Sequence, residues 1–265
     1  MFDQNKNETF DIQKTKEYIL SIQVSLDGFS FFAIFPDDKS VVACKSTPIK
    51  ISSSNLLGRR LKEWLESEEL LKNQFESIRT FVFADNFSLV SDEYFEPELQ
   101  RNLTSVLFDN KVHSHFIENK IKDLKASIIF PVSQEIVTIL RHFFNGDVEI
   151  IHPLTKLLQQ PFKSEKRNQS IIISTNSFFY LIIKQNRELV LANCFPVVHQ
   201  NDLIYNVLNT FQQLGVARSE TELFVASLKH ANTEVESLLK PYFENINLMK
   251  IMDLMANPEI VNSSD

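Results

Sequence analysis

The sequence predicts an α/β protein built from two copies of one sheet-and-helix unit. Three observations lead to this fold class. The tripeptide Ser30-Phe31-Phe32 recurs as Ser177-Phe178-Phe179, a displacement of 177 − 30 = 147 residues. Each copy opens a series of short apolar runs broken by polar turns, which is typical of antiparallel hairpins. A stretch with helical periodicity then follows in both halves and leads into a further β-rich run. The shared order of these elements predicts an internal duplication.

The first half begins with a strand that ends at Asp27, followed by strands at 31–35 and 40–44, which a polar turn at 36–39 separates. After Pro48, four apolar residues share one face of a predicted helix: Leu57, Leu61, Trp64 and Leu65. This helix leads into a strand at 80–84, and a further helix is predicted to end at Leu107-Phe108.

The second half repeats this order, with strands at 178–183 and 189–192, then Pro196 and another helix. The apolar face of that helix consists of Leu203, Val207, Leu208 and Phe211. A strand at 222–226 and a helix ending at Tyr242-Phe243 complete the copy.

A segment between the copies completes the first unit. It contains a predicted strand at 125–130, a helix at 133–144 ended by Asn145-Gly146, a short strand at 148–151 and a helix begun by Pro153. The polar linker that follows, 163–168, places the boundary between the two lobes. We therefore expect a first lobe at 1–165, with a polar tail at 1–17, and a smaller second lobe at 166–265.

Composition and charge exclude several classes of protein. The chain has 265 residues, 43% of them hydrophobic, which is enough to build a core. Its polar start lacks the features of a signal peptide, and its longest apolar run, 178–183, is far shorter than the roughly 18 to 20 residues that cross a bilayer. A formal net charge of −7 argues against nucleic acid as a partner. We expect a cytoplasmic protein without integral membrane association.

Cys44 and Cys194 are the two cysteines of the chain. Two cysteines in so long a chain form no disulfide framework, so we expect both to be buried strand residues. In a duplicated sheet they would occupy corresponding places in the third strands of separate lobes, too far apart to bond.

Three antiparallel strands that feed a helix and then a parallel strand form the ribonuclease-H-like topology. Two such units in tandem, facing across a cleft, form the actin-like ATPase architecture. On this element order and the duplicated hairpins, the chain from about Tyr18 to Leu254 resembles an uncharacterised bacterial family with the actin-like ATPase fold. It is more distantly similar to the actin homologues of cell division and pilus assembly. The resemblance is specific for the fold and weak for activity.

The resemblance implies one phosphate-binding hairpin in each lobe, usually an Asp followed by Gly and Ser or Thr. The matching residues of the first lobe are Asp27, Gly28 and Ser30, although the usual spacer between Asp and Gly is missing. The second hairpin, 174–177, contains neither Asp nor Gly. No glycine follows Gly215, where an adenosine loop would lie. We therefore predict degenerate nucleotide loops, no catalytic or metal-binding residue and no cofactor, with Mg-ATP as an open alternative.

Asp27-Gly28 also has a purely structural interpretation, because Asp-Gly is a favoured two-residue turn of a β-hairpin with positive φ angles. Asn176 would serve the second hairpin in the same way.

The leading functional hypothesis is a non-catalytic actin-like scaffold or interaction protein with an unknown protein partner, in other words a pseudo-ATPase. The first alternative is an ATPase or phosphotransferase that uses Asp27 in the cleft between the lobes. A second alternative is that this cleft binds another small molecule or a peptide. A less favoured alternative is a metal-dependent ribonuclease-H-like nuclease, in which Asp27 and Asp85 follow neighbouring strands and Glu63 or Glu66 supplies a third carboxylate. The pair His113 and His115 forms an incomplete metal site.

Overall fold

The computed structural model describes residues 10–37, 40–94, 114–146, 148–159, 166–228 and 232–251. They form two units, and the chain passes from the first to the second after Gln159. The boundary predicted after residue 165 falls at the end of a segment, 160–165, that lies outside the described residues, and it stays a prediction. The helix predicted to end at Leu107-Phe108 and the ring of His113 also lie outside them.

The first unit contains a five-stranded and a three-stranded sheet. Its strands, in chain order, are β1 (Ile19–Ser25), β2 (Gly28–Ile34), β3 (Val41–Pro48), β4 (Ser77–Val82), β5 (Ser88–Ser91), β6 (Ser114–Ile121), β7 (Ala126–Ser133) and β8 (Glu149–Ile151). The larger sheet has the order β3-β2-β1-β4-β8, in which β1 pairs antiparallel with β2 and parallel with β4. The smaller sheet has the order β5-β7-β6.

The described residues of this unit form three α-helices: α1 (Ser54–Ser67), α2 (Gln134–Phe143) and α3 (Pro153–Leu158). The apolar face of α1 covers β2, where the buried Trp64 ring stacks on Phe29 at a centroid distance of 5.2 Å and lies 6.3 Å from Phe31. The indole of Trp64 also donates a hydrogen bond to Thr47 Oγ1 at 3.1 Å. Trp64 is therefore a core residue, as predicted.

The second unit contains one five-stranded sheet. Its strands are β9 (Asn168–Ser174), β10 (Phe178–Gln185), β11 (Glu188–Pro196), β12 (Thr221–Ser227) and β13 (Asn245–Leu248). Its helices are α4 (Gln200–Leu214) and α5 (Asn232–Leu239). The sheet order β11-β10-β9-β12-β13 repeats that of the first unit strand for strand, with the same directions. No helix of the described ranges in either unit is both long and apolar enough to span a membrane.

The two sheets also share an irregularity of their outer hairpins. The register between β2 and β3 shifts after Ala33, and that between β10 and β11 shifts after Ile183. Each shift lies five residues beyond the first residue of its strand, since 33 − 28 = 5 and 183 − 178 = 5. A bulge at the same place aligns the two strands with an offset of 150 residues.

The offset of 147 residues that aligned the two tripeptides in the sequence is therefore wrong. Ser30 is the third residue of β2, whereas Ser177 lies in the turn before β10. Both strands are buried along most of their length, so their apolar runs have no alternation that would fix the alignment.

The two cysteines, which were predicted to correspond, do not do so, because the third strands match at a different offset, 191 − 43 = 148 residues, when Ala33 is matched to Ile183. Cys44 is opposite Phe32, and Cys194 is opposite Tyr180, although the counterpart of Phe32 is Ile182. Both cysteines lie on the third strands, as predicted, but these are edge strands, and the thiols are half-buried rather than buried. They form no disulfide in the part of the chain that the structure describes.

His152 lies at the start of α3, completely buried between the rings of Phe87 and Phe130, with centroid distances of 4.8 and 5.1 Å. Its Nδ1 accepts a hydrogen bond from the amide of Leu154 at 3.3 Å, and its own amide donates to Asn119 Oδ1 at 2.7 Å. The Asn119 side chain thereby joins the small sheet to the start of this helix. Burial lowers the pKa of His152 to about 3, and a hydrogen bond with the backbone of Ala84 opposes this effect only in part.

We expect His152 to make the protein less stable as the pH falls. Its pKa is about 3 in the folded state and 6.5 in the unfolded state, so between these values the unfolded chain binds more protons. The free energy of unfolding should fall by up to about 1.4 kcal/mol per pH unit in this window, beyond the contribution of the carboxylates. His152→Asn retains a side-chain acceptor for the Leu154 amide and removes the titration. Urea denaturation at pH 7, 6, 5 and 4 should show a shallower slope for the variant, and equal slopes would contradict the assignment.

Candidate functional site

The first candidate phosphate hairpin is the turn between β1 and β2. Its central residues are Leu26 and Asp27, because Ser25 and Gly28 already pair as strand residues. The predicted Asp27-Gly28 turn is therefore displaced by one residue. Positive φ is confirmed at Gly28, at +126°, but not at Asp27. Asp27 is half-buried.

The hydroxyl of Ser25 closes this turn from inside. The amide of Asp27 donates to Ser25 Oγ at 3.1 Å, and the same hydroxyl donates to the carbonyl of Gly28, also at 3.1 Å. The outer side of the turn is held by the segment after β3. The amides of Ile49 and Ile51 donate to the carbonyls of Asp27 and Leu26 at 3.1 and 2.8 Å. These contacts thus satisfy one amide, that of Asp27, and three carbonyls, those of Leu26, Asp27 and Gly28.

Gly28 is required here by a close approach of the backbone. A Cβ atom at this position would lie 2.3 Å from the carbonyl oxygen of Thr47 and 2.7 Å from the nitrogen of Ile49. Neither contact is possible, and positive φ adds strain for any other residue. The glycine therefore admits the end of β3 beside the turn, which is a structural role that needs no ligand.

The second hairpin turn, between β9 and β10, is closed in the same way by Thr175. This buried hydroxyl accepts hydrogen bonds from the amides of Ser177 and Phe178 at 3.2 and 3.0 Å and donates to the Phe178 carbonyl at 2.7 Å. The amide of Val197 donates to the Ser177 carbonyl at 2.8 Å, as Ile49 does to Asp27 in the first turn. Asn176 is a central residue of this turn, as predicted, but its φ is not positive.

The remaining predicted site residue, Ser30, lies away from the turn. It is buried on β2 opposite Gln23, and its hydroxyl donates to Gln23 Oε1 at 3.1 Å. Asp27 and Gly28 therefore lie at the turn, whereas Ser30 lies in a cross-strand pair with Gln23.

The carboxylates considered for metal binding are not assembled into a metal site. Asp27 and Asp85 do follow neighbouring parallel strands, since the amide of Phe83 donates to the Val24 carbonyl at 3.0 Å. Glu63, however, pairs with Arg59 and Arg60 on the exposed face of α1, and Glu66 pairs with Lys62 on the same face. Among the described residues, no three His, Cys, Asp or Glu side chains are close enough to hold a metal ion. His115, which lies on β6, is half-buried.

The geometry of the two turns determines whether their backbone amides are available to a phosphate. A hairpin that binds phosphate needs amide hydrogens directed at the ligand. In these turns the amides of Asp27, Ser177 and Phe178 already donate to side-chain hydroxyls of their own turn. A phosphate would have to displace Ser25 and Thr175 from these hydrogen bonds. The sequence analysis missed these two residues, although a Ser or Thr directly before a hairpin turn is a known local signal for such closure.

A cavity of about 370 Å³ lies elsewhere in the second unit. It is lined by Arg218, Ser219 and the segment 240–244, which includes Lys240 and Glu244. Arg218 precedes β12, so this cavity lies at the end of the sheet opposite to the β9–β10 turn. Nothing in the sequence pattern pointed to it, because its residues come from two short connections.

Comparisons with known proteins identify the fold. A family model described as Protein of unknown function (DUF3822) matches residues 7–246. The crystal structure of a Bacteroides thetaiotaomicron protein with an actin-like ATPase fold and unknown function has a TM-score of 0.81 at 21% identity, covering 94% of this chain and 98% of that chain. The PilM-PilN type IV pilus biogenesis complex gives a TM-score of 0.55 at 9% identity, with coverages of 91% and 90%. No curated protein matches in sequence. At these identities the likeness shows the fold, and the predicted actin-like ATPase fold is confirmed.

We expect the Thr175 hydroxyl to stabilise the second turn. Thr175→Ala removes the acceptor of two amides and should lower the free energy of unfolding by about 1 to 3 kcal/mol. Ser25→Ala removes the acceptor of one amide and should lower it by about 1 kcal/mol. Thr175→Ser and Ser25→Thr keep the hydroxyl and serve as matched controls in urea denaturation. If Thr175→Ser is as destabilising as Thr175→Ala, packing of the methyl group and not the hydroxyl is responsible.

Gly28→Ala should destabilise the protein far more than alanine at another glycine with positive φ. The new methyl group would clash with the backbone of Thr47 and Ile49, and we expect a loss of about 3 kcal/mol or more. Gly215→Ala is the control, because φ is +65° there but no neighbouring atom lies within 4 Å of a Cβ added at that position. That variant should lose only about 1 kcal/mol. Similar losses of unfolding free energy in the two variants would show that φ, and not the close approach, explains Gly28.

Proposed function

This chain belongs to the family described as Protein of unknown function (DUF3822), and from that premise we propose that it is a non-catalytic interaction protein, or scaffold, built on the actin-like ATPase fold. In this proposal both hairpin turns have become structural elements, and neither binds nor hydrolyses a nucleotide.

The closure of the two turns is the observation that carries this proposal. Ser25 and Thr175 engage the turn amides that a phosphate would otherwise contact. The second turn also lacks the Asp and the Gly of a phosphate hairpin. Gly28, the most suggestive residue of the first turn, has a steric explanation in the approach of Thr47. Together these features favour a pseudo-ATPase, to which we assign no catalytic residue and no cofactor.

We further propose that the two units arose by internal duplication of a ribonuclease-H-like unit. The identical strand orders and the bulges at equivalent positions support this origin. Duplication followed by separate change would also explain why Asp27 and Gly28 are found in the first turn and not in the second.

A protein partner is the binding activity that this proposal favours. PilM, which shares the fold, occurs with PilN in a type IV pilus biogenesis complex, so a protein of this fold can act by assembling with another protein. We propose the same general mode of action for this chain, without transferring the pilus function to it.

Nucleotide titration tests the proposal directly. We expect Mg-ATP and Mg-ADP to leave the thermal unfolding midpoint unchanged, because amides of both turns already donate to hydroxyls of the chain. A nucleotide present at 100 times its dissociation constant would add about 2.7 kcal/mol to the free energy of unfolding, so binding would be evident. A clear shift would overturn the proposal. Asp27→Asn then separates the alternatives: ATP turnover that this variant abolishes, with the fold intact, would establish the ATPase or phosphotransferase that uses Asp27.

A further inference from the structure

The end of helix α2 carries the single Asn-Gly pair of the sequence, Asn145-Gly146. The helix ends at Phe143, Phe144 caps it, and Asn145 follows in the left-handed region with φ +54°. Gly146 continues the turn at φ +89°. The pair was predicted to end the helix, and it does so, but the proposed function makes no use of it.

Two backbone hydrogen bonds close the end of α2. The amide of Gly146 donates to the carbonyl of Arg141 at 2.6 Å, and the amide of Asn145 donates to that of His142 at 3.5 Å. This pair of bonds forms a Schellman motif, in which asparagine takes the left-handed position that glycine usually holds. The motif therefore uses the Gly146 amide as a hydrogen-bond donor.

The side chain of Asn145 is accessible and lies next to an unhindered nitrogen. Asn145 and Gly146 are both exposed, and the Asn145 side chain makes no hydrogen bond to another residue of the described chain. The side-chain amide of Asn119, by contrast, is held by bonds to the backbones of Ile150 and His152. No atom beyond the adjacent residues lies within 4 Å of a Cβ added at Gly146. Because glycine has no side chain, its nitrogen is also the least hindered one that can follow an asparagine.

We infer that Asn145 is a site of spontaneous deamidation, and that opening of the end of α2 controls its rate. In this reaction the Gly146 nitrogen loses its proton to solvent and attacks the side-chain carbonyl carbon, Cγ, of Asn145. A new C–N bond closes a succinimide ring, and the side-chain nitrogen of Asn145 leaves as ammonia. Water then opens the ring at either carbonyl, which leaves aspartate or isoaspartate at this position.

The hydrogen bond from Gly146 to Arg141 opposes the first step of this reaction. An amide that donates a hydrogen bond loses its proton less readily, and for the same reason such amides exchange slowly with solvent until the structure opens locally. The ends of helices fray, so local opening is easiest there. The reaction therefore proceeds through the fraction of molecules in which the Schellman motif is open.

The product changes the end of the helix permanently. Isoaspartate adds one carbon to the main chain before Gly146, so the Schellman motif can no longer form with the same spacing. Either product also adds one negative charge to a chain that already carries −7. This inference goes beyond the proposed function and does not depend on it, because the end of α2 belongs to neither hairpin turn.

Peptide mapping by mass spectrometry measures the conversion at Asn145 after incubation at pH 8, in buffer and in urea. We expect Asn145 to react faster than any other asparagine of the unfolded chain, and about tenfold or more slowly in the folded protein than in urea. Arg141→Gly and Arg141→Ala form a matched pair, because Arg141 is exposed and both changes remove the same side chain. Glycine weakens the helix relative to alanine, so folded Arg141→Gly should react about two- to fivefold faster than folded Arg141→Ala. In urea the two variants should react at equal rates.

Asn145→Gly is the negative control, because glycine suits the left-handed position and has no side-chain amide to lose. No conversion should be found at this position in that variant, and circular dichroism verifies that all the proteins fold. Equal rates for the folded and unfolded wild type would overturn the inference. So would a faster-reacting asparagine elsewhere in the unfolded chain, or equal rates for the two folded Arg141 variants.

Discussion

Both units depend on a central strand that is hydrogen-bonded on both edges and buried on both faces. β1 and β9 each pair antiparallel with the next strand of the chain and parallel with the strand that follows the helix. Polar groups at the end of such a strand lie where water is scarce, so they must find partners within the protein. Ser25 and Thr175 meet this requirement at the two strand ends, each by closing the hairpin turn that it precedes.

The need to satisfy polar groups at the strand ends affects whether the turns can bind phosphate. A phosphate hairpin keeps its amides available to a ligand, whereas these turns use amides for their own stability. The first turn retains an acidic residue and a glycine, so its sequence resembles a phosphate hairpin more closely than its hydrogen bonds do. The second turn reaches the same closed geometry with neither residue. Because two different sequences reach one closed turn, closure is a property of the local hydroxyl and not of the Asp-Gly pair.

The helices of the two units differ most at positions that do not face the sheet. Positions of α1 and α4 that face the sheet carry apolar residues in both helices, because each must cover the same kind of strand surface. Positions that face solvent are free of this requirement, and there α1 carries five charged residues, several of them ion-paired, whereas α4 carries one, Asp202. A difference confined to the surface of equivalent elements is difficult to explain by folding. It is more readily explained by a difference in what the surfaces contact.

The sequence by itself determined the order and type of most elements, the actin-like fold class and the absence of Asp and Gly from the second hairpin. These properties follow from local patterns: helical periodicity, short apolar runs and the turn residues between them. Strand β13 and the three-stranded sheet were not predicted as such, since their short or mixed runs carry no clear period. The candidate site was only half predicted, because Asp27 and Gly28 lie at the turn while Ser30 pairs with Gln23.

Only the tertiary structure decided how the two units align, and it showed which groups close the turns. An offset error of three residues is odd, so it assigns side chains to the wrong face of the sheet. It would match Phe31, which lies near Trp64, with Phe178, although Phe179 and Leu181 are the residues in the core with α4. A strand that is buried on both faces has no polar side, so its sequence does not reveal the correct alignment. The partner of a hydroxyl depends on the path of the backbone around it. Register was therefore fixed by the neighbouring strands, which no local pattern of the sequence reveals.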